Sequence, residues 1–462
     1  MKIEFLGATK CVTGSCHLLK VGDVNILLDC GLFQGQDSDE YNNELFSFKP
    51  EEINFIILSH SHIDHSGRIP LLFKNGCKGR VICTKPTIDL SEYILKDAAK
   101  IQGEETYFKN LERKRSNLEP LTPIYELEDV DEALRHFEGY DYNETIKLTD
   151  NIKLVFRDAG HILGSAISEI KIKEDNNEVK IVFSGDLGNK NKDILKDPQI
   201  CEGGDYVIME CTYGDKVHEE KDVYPEFLLI AKKTIEDGGN LIIPCFSLGR
   251  TQEIIYMLNR FVESGSLNNC KVYVDSPLAT SLTEIFKRYE EYFDKEARML
   301  ISLGDDPLNF NGLHFIKTNE DLKELEKIKN GAIIIAAGGV RLSKHLTRNL
   351  PREECSIIIT AYKGKNSYGG KLLNGENTIK VSGKMVDVKS KVYYIGGLSC
   401  HADREGLFQW INSMDKKPKK IFLVHGEEES ICAFKEKLVQ NEYDAITVEY
   451  GQCFHLENLN NN

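Results

Sequence analysis

Short runs of branched and aromatic residues, each broken off by a polar loop, set the rhythm of the first two hundred residues. Val24–Leu28, Phe55–Leu58, Val81–Cys83, Lys153–Phe156 and Val179–Phe183 predict strands, and several end in a loop bearing His or Asp. Thr87–Ile101 has helical spacing and passes into a polar stretch rich in Glu and Lys. After Asp205 the alternation becomes more regular. Asp222–Glu236 reads as a helix stopped by Gly238-Gly239, Asn240–Phe246 as a strand, and Arg250–Gly265 as a helix. Lys271–Val274, Ala332–Ala336 and Ser356–Ala361 predict buried strands. From about Lys391 the opening style returns: a strand, a loop with His401, a helix, the strand Lys420–Val424 and a loop with His425. The pattern predicts an α/β host domain interrupted by an inserted α/β domain.

A length of 462 residues suits two domains rather than one core. The 58 basic and 73 acidic residues leave a formal charge of −15, which counts mildly against a nucleic-acid substrate, because a protein that grips nucleic acid over its whole surface is usually basic. A polyanionic substrate would need a local grip. Met1–Gly7 reads as an opening strand rather than a leader, and no apolar run reaches about 18 residues, so no membrane is expected. Thirteen scattered cysteines without a Cys-x-x-Cys pair read as buried thiols of a reducing compartment, and the cytoplasm is the expected location.

Chemistry concentrates after Phe55–Leu58, where His60, His62, Asp64 and His65 fall within six residues. Imidazole and carboxylate are suitable zinc ligands, and a loop beyond a strand can turn them to one point. A single His or Asp in such a loop is more often a turn residue. Beside this cluster, however, His161 in Asp158–Ser165, Asp186 in Phe183–Gly188 and His425 in Val424–Glu427 become ligand candidates. Asp29, at the end of Ile26–Leu28, could orient a ligand histidine from behind. These groups are too many for one tetrahedral site, whereas two Zn2+ sites sharing Asp186 use them all. Paired ions suit an in-line displacement at phosphorus. Departure of an alkoxide needs a proton, for which His401 is the candidate donor with Glu210 orienting it; Asp64 counts both as ligand and among the catalytic groups. Arg250 follows a strand-to-helix turn, so it could meet a phosphate, or it could be an ordinary helix-start arginine. Lys363, Lys365, Ser367 and Lys371, in the glycine-rich stretch near 362–375, are further substrate-contact candidates.

The run His60–His65 with its later His, Asp and His resembles the metallo-β-lactamase superfamily. Val12–Ser15, Leu28–Gly35, Glu210–Asp215, Gly249–Glu253, Asp275–Ala279 and His401–Asp403 are similar to its beta-CASP branch of RNA-cleaving nucleases. The resemblance implies a metallo-β-lactamase αββα sandwich over 1–205 and 386–462, with a beta-CASP domain over 206–385 inserted as a cap above a groove for single-stranded RNA. It assigns His60, His62 and His161 to one zinc, Asp64, His65 and His425 to the other, with Asp186 bridging. It gives His401 the role of proton donor, supported by Glu210. The chain departs from the branch at Ala336–Gly339 and Ala361–Gly370, where a hydroxyl and an arginine expected near the substrate phosphate are missing or moved. The implied activity is a zinc-dependent ribonuclease of RNA processing or decay. A hydrolase of another substrate class and a non-catalytic RNA-binding scaffold are the alternatives, and a homodimer is allowed.

Overall fold

A computed structural model describes residues 1–174, 177–218, 222–268, 270–360 and 367–456. The chain divides into two compact units. The first combines Met1–Asn191, Asp197–Val217 and His401–Asn462; the second combines Lys192–Lys196 and His218–Cys400.

In the first unit, one sheet takes β1 (Lys2–Phe5), β2 (His17–Val21), β3 (Val24–Leu28), β4 (Phe55–Ile57), β5 (Arg80–Thr84), β6 (Phe137–Tyr140) and β22 (Cys453–His455), ordered β22-β1-β2-β3-β4-β5-β6. The other takes β7 (Thr145–Lys147), β8 (Ile152–Asp158), β9 (Ala166–Glu174), β10 (Asn177–Phe183), β11 (Tyr206–Glu210), β20 (Lys420–Val424) and β21 (Ala445–Thr447), ordered β21-β20-β11-β10-β9-β8-β7. Their inner faces share one core, in which Phe5, Leu28 and Ile57 meet Phe156, Phe183 and Phe422. Outside the first sheet, Ile56 and Leu58 pack on Ile69 and Leu72 of a short helix. Outside the second, Val182 and Met209 pack on the helices Arg404–Asn412 and Glu428–Gln440 through Trp410 and Phe434. Strands covered on both faces must be apolar at every position, which is why β4 reads Phe-Ile-Ile without alternation. The result is the αββα sandwich expected from the sequence.

Strand direction, more than composition, positions the polar loops. β3 to β6 run parallel, as do β10, β11, β20 and β21. Within each run, the polar loops after the strands therefore emerge on a common edge.

The second unit has a parallel sheet of β12 (Leu241–Pro244), β13 (Lys271–Asp275), β14 (Leu313–Phe315), β15 (Ala332–Ala336), β16 (Ser356–Ile359) and β19 (Lys391–Tyr394), ordered β14-β13-β15-β12-β16-β19. A hairpin of β17 (Thr378–Val381) and β18 (Lys384–Asp387) packs on it through Ile379 and Val386. At the end of β13 the buried Asp275 carboxylate accepts from His345 Nε2 at 2.7 Å and from Arg341. Burial alone would raise its pKa, but the hydrogen bonds from His345 and Arg341 outweigh it and hold the group below its ordinary value. The stabilisation is therefore complete above the unfolded-state value of about 3.9 and is lost as pH falls through the lower folded-state value. Asp275→Ala is expected to cost about 3 kcal/mol at neutral pH. That deficit narrows in acid, as urea unfolding at both pH values would show.

Two findings extend the sequence reading. The helix predicted over Thr87–Ile101 runs from Lys85 to Arg115 and buries no residue beyond Ala99. Among the described residues, no helix is long and apolar enough to cross a membrane.

Candidate metal centre

Six strand ends of the first unit supply the site. Asp29 follows β3, His60 follows β4, His161 follows β8, Asp186 follows β10, Glu210 closes β11 and His425 follows β20. Two of these junctions use backbone that side chains seldom adopt, with φ of 59° at Asp29 and 49° at His425. Hydrogen bonds fix both: Asp29 N donates to Ile57 O, and His425 N to Ala8 O. Held strain of this kind is concentrated where a side chain must be aimed.

The predicted ligands converge in two sets. His60, His62, His161 and Asp186 form one; Asp64, His65 and His425 form the other, with ligand atoms of each set within 4.8 Å of one another. His60 Nε2 lies 3.0 Å from His62 Nδ1, His161 Nε2 lies 3.2 Å from the same atom, and His65 Nε2 lies 3.1 Å from His425 Nε2. Atoms bound at about 2.0–2.1 Å around a tetrahedral centre are about 3.3 Å apart, so these contacts have nearly the edge length of a zinc coordination shell. Asp186 stands between the sets. Its Oδ2 is 3.5 Å from His60 Nε2, 3.6 Å from His161 Nε2 and 3.3 Å from His65 Nε2. Its Oδ1 is buried and receives no hydrogen bond from a described residue. An ionised carboxylate oxygen left so would be costly, and a cation is the partner that such an atom fits.

Charge agrees with that fit. Burial pushes His60 well below its ordinary value and His62 down to about 4, leaving neutral imidazoles with lone pairs to give. Burial would lower His65 too, yet Asp186, Asp29 and Asp64 override it and hold it well above. Three carboxylates thus demand positive charge at one place.

Behind the candidate ligands lies a supporting layer. Asp29 Oδ2 accepts from His65 Nδ1 at 2.7 Å, which leaves Nε2 facing the cluster. The same carboxylate accepts from Ser59 N (2.7 Å), Ser59 Oγ (2.9 Å) and Ser15 Oγ (3.2 Å). Thr212 Oγ1 contacts His425 Nδ1 at 3.1 Å. Ser59 and Thr212 escaped the sequence reading, although one directly precedes His60 and the other lies two residues beyond Glu210. Asp29→Asn keeps the shape but brings an amide donor against Ser59 N–H or His65 N–H. It is expected to weaken zinc affinity about 10- to 100-fold, measured by competition with a chelator.

Glu210 and His401 form a third group with Asp186. Glu210 is fixed by Leu187 N on Oε1 (2.6 Å) and Thr212 N on Oε2 (3.1 Å), and accepts from His401 Nδ1 at 3.2 Å. Burial works against the charged form of His401, but Glu210 and Asp186 raise it to about 9. An imidazole of that kind is protonated at neutral pH.

The predicted substrate contacts belong to the second unit. Arg250 is buried, donating to Glu253 Oε2 at 2.8 Å and to Cys400 Sγ at 3.5 Å. Ser367 Oγ caps the helix Tyr368–Leu373 by accepting from Gly370 N, and Lys371 lies in that helix. Lys363 and Lys365 lie outside the described residues.

Two sheets between helices, a His- and Asp-rich edge and an inserted α/β unit define a metallo-hydrolase. The chain matches the metallo-beta-lactamase superfamily domain over residues 18–210 and the Beta-Casp domain over 251–372. Residues 385–449 match the Zn-dependent metallo-hydrolase RNA specificity domain. The chain is 32% identical to Ribonuclease TTHA0252 of Thermus thermophilus over 457 residues, covering 98% of this chain and 99% of that one. It is 29% identical to Transcription termination factor FttA of Methanocaldococcus jannaschii, over 97% of this chain and 72% of that one. In fold alone it is similar to a crystal structure of a protein of unknown function from Enterococcus faecalis, with 15% identity, a TM-score of 0.54, and coverage of 98% and 99%. The chain belongs to the beta-CASP branch of the metallo-β-lactamase superfamily.

Proposed function

We propose that this protein is a zinc-dependent ribonuclease that hydrolyses phosphodiester bonds of single-stranded RNA, acting in cytoplasmic RNA processing or decay with two Zn2+ ions. The observation that carries this reading is the Asp186 carboxylate, set between two ligand groups and next to the His401–Glu210 pair. The first ion would be held by His60, His62 and His161, the second by Asp64, His65 and His425, with Asp186 shared. Zinc in such a site supplies Lewis acidity and a water acidic enough to ionise near neutral pH. His401, held through Nδ1 by Glu210, supplies a proton to the oxygen that leaves phosphorus. Asp29 and Thr212 fix the rings of His65 and His425, so that little reorganisation accompanies reaction. The relatives named for ribonuclease activity and transcription termination support RNA as the substrate.

The test is cleavage of end-labelled RNA by zinc-loaded protein, before and after chelation, alongside metal analysis. Two equivalents of zinc, cleavage lost on chelation and cleavage restored by zinc are expected. Intact RNA from fully loaded protein would sink the proposal, and turnover of a lactam or thioester instead would move the chain to another substrate class.

A further inference from the structure

The second sheet of the first unit carries a row of lysines that the metal centre does not use. Lys147 on β7 stands opposite Lys153 on β8, Lys153 opposite Lys171 on β9, and Lys171 opposite Lys180 on β10. Along each strand the alternate residues, such as Ile146, Leu154, Ile172 and Ile181, point into the shared core. The lysines therefore leave the sheet on its outer face. Helices cover that face farther along, over Ile167, Val182 and Val207, but Lys153 and Lys173 are exposed and Lys171 is half-buried. Beyond β10 the row reaches Asp205, whose carboxylate is shared by Lys416 and Lys419 at 3.3 and 3.2 Å.

Like charges directly opposed on neighbouring strands repel and cost stability. A lysine on an edge strand guards the edge, which accounts for Lys147 on β7; β8, β9 and β10 are interior strands. Glu169 answers Lys180 and Arg157, and Asp150 answers Lys147. Among the described residues, Lys153 and Lys171 have no acidic partner within salt-bridge distance, and Lys173, which likewise makes no ion pair, stands opposite Glu178 on β10. In a chain of net charge −15 this local excess runs against composition. Strand spacing of about 4.8 Å makes Lys147 to Lys180 a line of charge about 14 Å long.

We propose that this row is a binding strip for the backbone of single-stranded RNA, engaging a part of the strand remote from the bond being cut. The identity of the polyanion rests on the ribonuclease reading; the strip itself rests on the lysine register. Contacts to phosphates alone make the binding indifferent to sequence and sensitive to salt. An anionic membrane would also attract lysines, but among the described residues no large apolar side chain is exposed between Thr145 and Phe183 to anchor one. A narrow line suits a thread better than a plane.

The experiment compares zinc-loaded full-length protein with a K153Q/K171Q/K173Q variant, both in a His401→Ala background so that RNA survives. Fluorescence anisotropy is read with RNAs of about 6 and about 30 nucleotides over a salt series. The longer RNA is expected to bind the variant about ten-fold more weakly, with a log–log salt slope shallower by about 2, since each phosphate contact on a single strand contributes about 0.7. The short RNA is expected to bind both proteins alike, and thermal unfolding is expected to be unchanged. Equal affinity and slope for the longer RNA would overturn the strip, as would an equal loss for the short one. Loss of binding to phosphatidylglycerol vesicles with RNA binding intact would overturn it in favour of a membrane. If the protein with His401 present leaves RNA uncut while the length-dependent loss appears, the ribonuclease reading falls and the strip stands. If it cuts RNA and the lysine variant binds like its parent, the strip falls alone.

Discussion

Replacing His401 with alanine is expected to lower RNA cleavage about 10²- to 10⁴-fold while leaving zinc content unchanged. The reason lies in its place beside the ligand sets and outside both of them. Its Nδ1 is committed to Glu210, and Glu210 is itself fixed by two backbone amides. A donor so held loses little freedom when it acts. The control is the leaving group. A p-nitrophenyl phosphodiester departs without needing a proton, so the variant should lose far less on that substrate than on RNA. An equal loss on both would assign His401 to structure instead. The raised pKa gives a second readout, because the group is protonated below its folded-state value and fails as a donor above it. Wild-type cleavage is thus expected to fall on the alkaline side. In Glu210→Gln that limb should move to lower pH, since the carboxylate that retains the proton is gone.

The Gly31→Ala substitution is expected to destabilise the first unit by about 4 kcal/mol or more, in the range that marks a disrupted core rather than a weakened surface. A Cβ at Gly31 would stand 1.6 Å from Asp64 O and 2.8 Å from His65 N. Both are backbone atoms of the ligand loop, so no side chain can swing away. The oxygen is also engaged by Ser15 N at 2.8 Å, and Cys30 N bonds His65 O at 2.8 Å, so moving the loop breaks further bonds. The comparison is Gly103→Ala in the helix Lys85–Arg115, where a Cβ meets nothing within 4 Å. There the change should stabilise by about 0.5–1 kcal/mol. Thermal unfolding and zinc content separate the two outcomes, and a Gly31→Ala protein with wild-type melting would contradict this packing.

The buried strands were legible in the sequence because coverage on both faces demands unbroken apolar runs: Ala332–Ala336 and Lys420–Val424 have the same limits in pattern and in fold. The long helix was legible only in part. Its buried positions end at Ala99, and the remainder mixes Glu, Lys and Arg, which favour helix, with Ile101, Tyr107, Phe108 and Leu111, which lie exposed and mark no buried face. The ligand candidates stood out because His60 to His65 are crowded into one loop, and strand ends then drew attention to His161, Asp186 and His425. Ser59 and Thr212 gave no comparable signal: a hydroxyl one or two residues from a charged group is common, and only three-dimensional placement shows which ring it holds. The lysine row was invisible for a related reason. Lys147, Lys153, Lys171 and Lys180 are separated by ordinary sequence and become neighbours only through register.

The order of the ligand residues along the chain has a consequence for synthesis. His60, His62, His161 and Asp186 all lie in the first half, whereas His425 comes 360 residues after His65. At about 5–20 residues per second, a ribosome takes roughly 20–70 s to travel from one to the other. For the later part of that interval, once Asp186 has been made, the nascent chain carries one candidate ligand set, but lacks His401 and the last member of the second set. Both the second candidate set and the His401–Glu210 pair therefore close only once the segment from His401 to His425 has been made and has folded back onto strands formed much earlier.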